Sequence, residues 1–210
     1  MTPSIRIAAL ISGGGRTVCN LQDEIVKGNV DATIVRVIAS KEGISGIERV
    51  RDLGLDVHVP GSSDYERDLT QLVESCQPDL ICLCGYLRKL SLQPTWHGRV
   101  INIHPSLLPR HGGRGMYGMN VHEAAIESEA EFSGCTVHFV DDQYDHGPIL
   151  LQRSCRIRSD DTAETLAARV FQQECIALPR AIDMIARRKA SIVDGRVKIT
   201  AACEVGRGSL

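Results

Sequence analysis

Short, nearly unbroken apolar runs alternate along the first half of the chain with stretches whose apolar residues fall three and four apart. Ile5–Ile11 is such a run, closed by glycines, and predicts a strand buried on both faces. Residues 20–27 follow with helical spacing and stop at Gly28, a residue suited to closing a helix. Ala32–Ala39 is rich in β-branched residues and predicts a second strand. Ile47, Val50, Arg51 and Leu53 have helical spacing, ended by Gly54. Residues 57–59 make a brief third strand stopped by Pro60. Residues 64–76 open on Asp64, a good N-cap, and set Leu69, Leu72 and Val73 on one helical face. Residues 80–84 and Val100–His104 read as the fourth and fifth strands.

The second half changes style. Residues 120–128 predict a helix, and residues 134–140 and 149–157 two strands joined by the polar segment 141–148. Residues 162–188 form one long helical pattern with Leu166, Val170, Ile176 and Ile182 as apolar positions and Asp161 or Thr162 as cap. Pro179 should kink or split it. Asp194-Gly195 between two short apolar runs signals a hairpin, and residues 203–210 read as a tail. The pattern predicts a single α/β domain over residues 1–210, Rossmann-like. Its central sheet should be mostly parallel with helices on both faces, and antiparallel strands should enter in the C-terminal half.

Composition narrows the partners. A net charge of −2 gives no electrostatic case for nucleic acid or an anionic membrane. No apolar run reaches the roughly 20 residues a membrane span needs. The apolar start is too short for a secretory signal, so the chain is expected to be cytoplasmic. None of the eight cysteines has the two-residue gap of a zinc knuckle, which in a reducing compartment predicts free thiols.

Within that frame a few residues stand out. Asn102 and His104 lie two apart on the fifth strand and so share a face, and Pro105 ends the strand directly after them. They therefore sit at a carboxyl end, where open α/β sheets bind ligands. Residues 12–17, Ser-Gly-Gly-Gly-Arg-Thr, follow the first strand. This is neither a dinucleotide fingerprint nor a Walker sequence, but its amides with Arg16 and Thr17 suit a phosphomonoester. Asp145 precedes His-Gly-Pro in the 141–148 segment, while Thr136 and His138 alternate on the strand before it. A carboxylate beside His104 should orient the imidazole and raise its pKa. His138 is placed to hold a water beside Asp145. His104, His111, His122 and Glu123 lack metal-ligand spacing, so no metal is expected, and Ser106 lacks a nucleophile-elbow context.

Four segments carry a resemblance. Residues 12–17, residues 84–91 (Cys-Gly-Tyr-Leu-Arg-Lys-Leu-Ser), residues 102–109 (Asn-Ile-His-Pro-Ser-Leu-Leu-Pro) and Thr136-Val-His-Phe-Val with its downstream Asp-His-Gly-Pro resemble, in order, the phosphoribosylglycinamide formyltransferases. The resemblance covers residues 5–199 and implies formyl transfer from 10-formyltetrahydrofolate to the amine of glycinamide ribonucleotide, in purine (IMP) synthesis, by a monomer or homodimer. It implies Asn102, His104 and Asp145 as catalytic residues, supported by Thr136 and His138. Reduced folate is expected on Leu87, Arg88, Lys89, Leu90, Asn102, Val140 and Asp141. Gly15, Arg16, Thr17 and Asn20 are expected at the substrate phosphate, and Glu174 at the ribonucleotide. By this reading the half up to about residue 100 holds phosphate, and residues 101–200 hold catalysis and folate. The chain departs from the family in a longer glycine turn, an enlarged segment 110–120 rich in glycine, and Phe171 in place of a frequent polar residue. A formyltetrahydrofolate hydrolase, a methionyl-tRNA formyltransferase and a non-catalytic phosphometabolite binder remain as alternatives.

Overall fold

The computed structural model describes residues 4–200 apart from residues 62 and 194. The expected tail at 203–210 lies outside the described residues. Seven strands form one sheet in the order β3-β2-β1-β4-β5-β6-β7. They are β1 (Ile5–Ile11), β2 (Ala32–Ala39), β3 (Val57–His58), β4 (Leu80–Leu83), β5 (Val100–His104), β6 (Phe132–Phe139) and β7 (Ile149–Arg156). The first five are mutually parallel, and the β5–β6 and β6–β7 pairs are antiparallel. β8 (Ala190–Val193) and β9 (Arg196–Ile199) form a separate hairpin, as the Asp-Gly signal predicts.

Alternation along the strands builds two apolar layers. Ile7, Ala9 and Ile11 of β1 face a cluster with α1 (Arg16–Val26), α2 (Gly46–Arg51), α4 (Met119–Glu127) and α5 (Ala163–Ala186). Leu10 faces the opposite layer, with Leu69 and Val73 of α3 (Tyr65–Ser75) and the fully buried Trp96 of a short 3-10 turn. Both faces are covered, which is why the parallel strands carry unbroken apolar runs. Their chain order also reverses between β1 and β4, and in such sheets that switch point is where ligands lodge. The glycine turn after β1 and the segment after β4 meet there: Ser12 N–H donates to Gly85 O (3.1 Å), and Leu87 N–H donates to Ser12 Oγ (3.0 Å).

Two helices differ from expectation. α1 begins at Arg16, since Gly15 takes a left-handed conformation (φ 69°) and the chain turns helical at once. Arg16 and Thr17 thus belong to the helix's first turn. α5 runs unbroken through Pro179 over 24 residues. Proline removes the N–H that would reach the carbonyl of Cys175. That carbonyl accepts instead from Asn20 Nδ2 of α1, at 2.9 Å, so a neighbouring helix supplies the missing donor. Thr162 caps α5 in a reciprocal box with Thr165.

Candidate active site

Antiparallel pairing aligns Asn102 with His138 and His104 with Thr136. Four polar side chains therefore stand on one face at the end of β5 and β6, where the sequence alone showed two pairs. Thr136 braces the loop after β5: its Oγ1 donates to Ser106 O (2.6 Å) and accepts from Leu108 N–H (3.0 Å). Ser106 Oγ is spent on Arg110 O at 2.6 Å, so its hydroxyl serves the loop.

Asp145 reaches this face from the turn between β6 and β7. Its φ is 53°, a left-handed conformation that aspartate tolerates better than most residues. Two residues on, a Cβ on Gly147 would collide with Phe139 O, so only glycine lets the turn lie this tightly against β6. The Asp145 carboxylate stands 3.4 Å from His104 Nδ1 and 3.7 Å from His138 Nε2, and it accepts from Asn102 Nδ2 at 3.3 Å. Its second oxygen accepts from Gly113 N–H at 2.9 Å. Burial alone would raise the carboxyl; the His138 and His104 rings and the Gly113 N–H outweigh it and hold Asp145 below its ordinary pKa.

His104 is oriented from both sides, since its Nε2 donates to His111 O at 2.8 Å while Nδ1 faces Asp145. The expected rise in its pKa is corrected here. Burial is the largest influence and lowers it, and neither the Asp145 charge nor the His111 carbonyl restores the ordinary value. The resting ring is then neutral, with the proton on Nε2 and an open lone pair on Nδ1. His138 donates from Nδ1 to Phe139 O (2.8 Å), which leaves Nε2 to accept from Asn102 Nδ2 (3.1 Å). It orients the amide directly.

Two cavities meet at this cluster, and both are lined by Tyr86, Asn102, Tyr144 and Asp145. The larger, about 340 Å³, extends to Thr17, Leu87, Arg114 and Glu174. The smaller, about 70 Å³, is walled by Arg88, Lys89, Leu90, Val140 and Asp141. Leu90 is buried, and among the described residues the backbone groups of Arg88, Lys89 and Leu90 have no backbone partner, so apolar walls carry free hydrogen-bonding edges. The Arg88 guanidinium lies 3.7 Å over the Tyr65 ring. At the other end Arg16 stacks 3.9 Å over Phe171. Burial pushes the Glu174 carboxyl up to about 7, against the pull of Arg16.

The predicted residues are thus mostly brought together. Asn20 is not: it lines a separate hollow with Cys175 and Pro179, where its side chain serves α5. Residues from both halves of the chain line both cavities. The sequence reading missed His111, whose carbonyl holds His104, and Gly112 and Gly113, which admit and bond Asp145. A Cβ on Gly112 would collide with Leu108 Cδ2 and stand 3.2 Å from Asp145 Cβ. The Gly-Gly pair in the enlarged segment was the available signal. Among the described residues no group of three or more His, Cys, Asp or Glu could hold a metal ion, and no helix is long and apolar enough to cross a membrane.

Known proteins resemble this chain in sequence and in fold. The chain is 37% identical over 177 residues to the chloroplastic phosphoribosylglycinamide formyltransferase of Vigna unguiculata, covering 80% of this chain and 57% of the relative. It is 37% identical over 198 residues to the trifunctional purine biosynthetic protein adenosine-3 of Drosophila melanogaster, covering 89% of this chain. It spans only 14% of that much longer relative, and just over half of the plant one. The crystal structure of glycinamide ribonucleotide transformylase 1 from Symbiobacterium toebii superimposes with a TM-score of 0.86 at 32% identity, covering 96% of each chain. Residues 5–182 match the formyl transferase family, and the chain belongs to that family.

Proposed function

We propose that this chain transfers the formyl group of 10-formyltetrahydrofolate to the primary amine of 5'-phosphoribosylglycinamide, a step of purine synthesis, in the cytoplasm. The observation that carries the reading is the convergence of Asn102, His104 and Asp145 where the two cavities join. The smaller cavity suits a flat heterocycle with hydrogen-bonding edges, by its apolar walls and the free backbone groups of Arg88, Lys89 and Leu90. The larger suits the ribonucleotide, its phosphate towards Gly15, Arg16 and Thr17 and its sugar beside Glu174.

The formyl donor, when bound, supplies an electrophilic carbonyl carbon. The two Nδ2 hydrogens of Asn102 rest on His138 Nε2 and Asp145 Oδ1; as the amine attacks, the longer bond to Asp145 is exchanged for one to the oxygen on which negative charge develops, while His138 keeps the amide oriented. His104 takes up the proton of the attacking nitrogen at Nδ1, the free base of the resting ring. Asp145, ionised and 3.4 Å away, stabilises the imidazolium so formed, and the His111 carbonyl keeps the second N–H occupied. The same Nδ1–H then returns its proton to the departing nitrogen. No residue need form a covalent intermediate.

Purified chain is incubated with 10-formyltetrahydrofolate, with and without glycinamide ribonucleotide. Deformylation that depends on the amine and yields formylated ribonucleotide is expected. Turnover without the amine would assign water as the acceptor, and absence of turnover in both would remove the catalytic reading.

A further inference from the structure

A trans peptide unit is planar, so a carbonyl drawn to one side sends the next residue's N–H to the other. In the glycine turn after β1, α2 takes the carbonyls one after another. Gly13 O accepts from Gly46 N–H at 3.2 Å, and Gly14 O accepts from Arg49 Nη1. The N–H groups of Gly14 and Gly15 must then face away from α2. Gly15 O turns into α1 and accepts from Cys19 N–H. Among the described residues no backbone N–H from Gly13 to Val18 has a backbone acceptor, whereas Ser12 N–H, just before them, is bonded to Gly85 O. The result is a run of donors at the switch point, beside the cleft that Thr17 lines.

The fit between turn and α2 leaves no slack. A Cβ on Gly46 would collide with Gly13 O and stand 3.0 Å from Gly15 N. A Cβ on Gly15 would stand 3.2 Å from Gly46 Cα and from Val50 Cγ2. Arg49, on the exposed side of α2, places its guanidinium on a carbonyl rather than a carboxylate.

We propose that Arg49 is a positioning residue for the phosphate monoester of the substrate, acting through the Gly14 carbonyl to hold the Gly15 N–H towards the anion. This rests on the function proposed above. Steady-state kinetics of Arg49→Ala and Arg49→Lys, with glycinamide ribonucleotide and with its dephosphorylated riboside, test it. Arg49→Ala should raise KM for the ribonucleotide about 10- to 100-fold, the effect of losing one hydrogen bond from a charged group. The turnover number and KM for the riboside and the formyl donor should hold, and Arg49→Lys should recover most of the loss. Equal weakening of ribonucleotide and riboside, or no change in either, overturns the proposal.

A second measurement does not depend on turnover. With inorganic phosphate as the probe, the Gly14 and Gly15 amide protons of 15N-labelled wild type should move downfield, and in Arg49→Ala they should not. Shifts that persist in Arg49→Ala would show that the turn holds its shape without the guanidinium, and the inference fails. If wild type transfers no formyl group yet shows phosphate shifts that need Arg49, the functional reading fails and this one stands. Should Arg49→Ala not fold, Arg49→Met, which keeps the aliphatic stem, carries the same readouts.

Discussion

His104 and Asp145 divide the work of charge at the site. Burial holds the imidazole below its ordinary 6.5, and its partners hold the carboxyl below its ordinary 3.8, so at neutral pH the pair rests as neutral base and anion. Loss of activity on acidification then tracks protonation of His104 Nδ1. In the free enzyme kcat/KM should be level at neutral pH and fall only as the pH drops through a value under 6.5. Replacing Asp145 by Asn removes a charge that raises the His104 pKa. The acid limb should therefore move to still lower pH, while kcat falls by about 10²- to 10⁴-fold, the usual span for general acid–base groups. A pH–rate profile of wild type and Asp145→Asn checks both. If the imidazolium were the working form, the rate would fall as pH rises through the same value. The pairing of Asn102 with His104 was legible in the sequence, because period-two alternation and a following proline fix both face and strand end. The sign of the His104 shift was not, because it depends on how deeply the enlarged 110–120 segment and the β6–β7 turn bury the ring.

Among the elements, α5 best shows what neighbouring structure adds. Its length, one of its two candidate caps (Thr162) and the buried positions Leu166, Val170 and Ile182 were readable; Ile176, expected with them, lies exposed, and Pro179 argued for a break. The helix stays whole because Asn20, one helix away and 155 positions earlier, donates to the carbonyl that Pro179 leaves unpaired. No local pattern contains that partner, and the same residue taken with its neighbours Arg16 and Thr17 looked like a phosphate ligand. Removing the amide takes the partner from a half-buried acceptor at a cost of about 0.5–1.5 kcal/mol, so Asn20→Ala should lower Tm by roughly 1–6 °C. Pro179→Ala restores a backbone N–H at the right place. In that background the cost of Asn20→Ala should shrink by half or more. Thermal melts of the four proteins form a double-mutant cycle, and equal costs in both backgrounds would mean that the bond does not compensate for the proline. A comparable dependence governs Asp145, whose turn is set by Gly147 against Phe139 O and by Gly112 under its Cβ. The polar segment 141–148 was visible as a loop, but its direction came only from those two close approaches.

For the whole molecule, the site exists because the sheet reverses its order once and sets one strand, β6, against the direction of the rest. The reversal between β1 and β4 opens the end that holds the glycine turn, and the antiparallel return of β6 beside β5 brings His138 and then Asp145 to Asn102 and His104. α5 spans the gap and carries Glu174 into the cleft, where burial raises its carboxyl to about 7 from an ordinary 4.5. Such a group favours the folded state only while it is protonated. Below 4.5 it is protonated in both states and costs nothing; between 4.5 and about 7 the unfolded chain ionises first, so stability falls as pH rises; above 7 the loss is complete. Glu174→Gln removes this penalty. Relative to wild type its Tm should match near pH 4.5 and exceed it by several degrees near pH 8, at about 2–4 °C per kcal/mol for a chain of this size. The same substitution should weaken ribonucleotide binding if the carboxylate meets the sugar hydroxyls, so stability and affinity would move in opposite directions. A Tm difference that is constant across the pH range would show that Glu174 ionises in the folded protein as it does in water. The cleft would then impose no desolvation on it, and the depth assigned to that end of the site would be wrong.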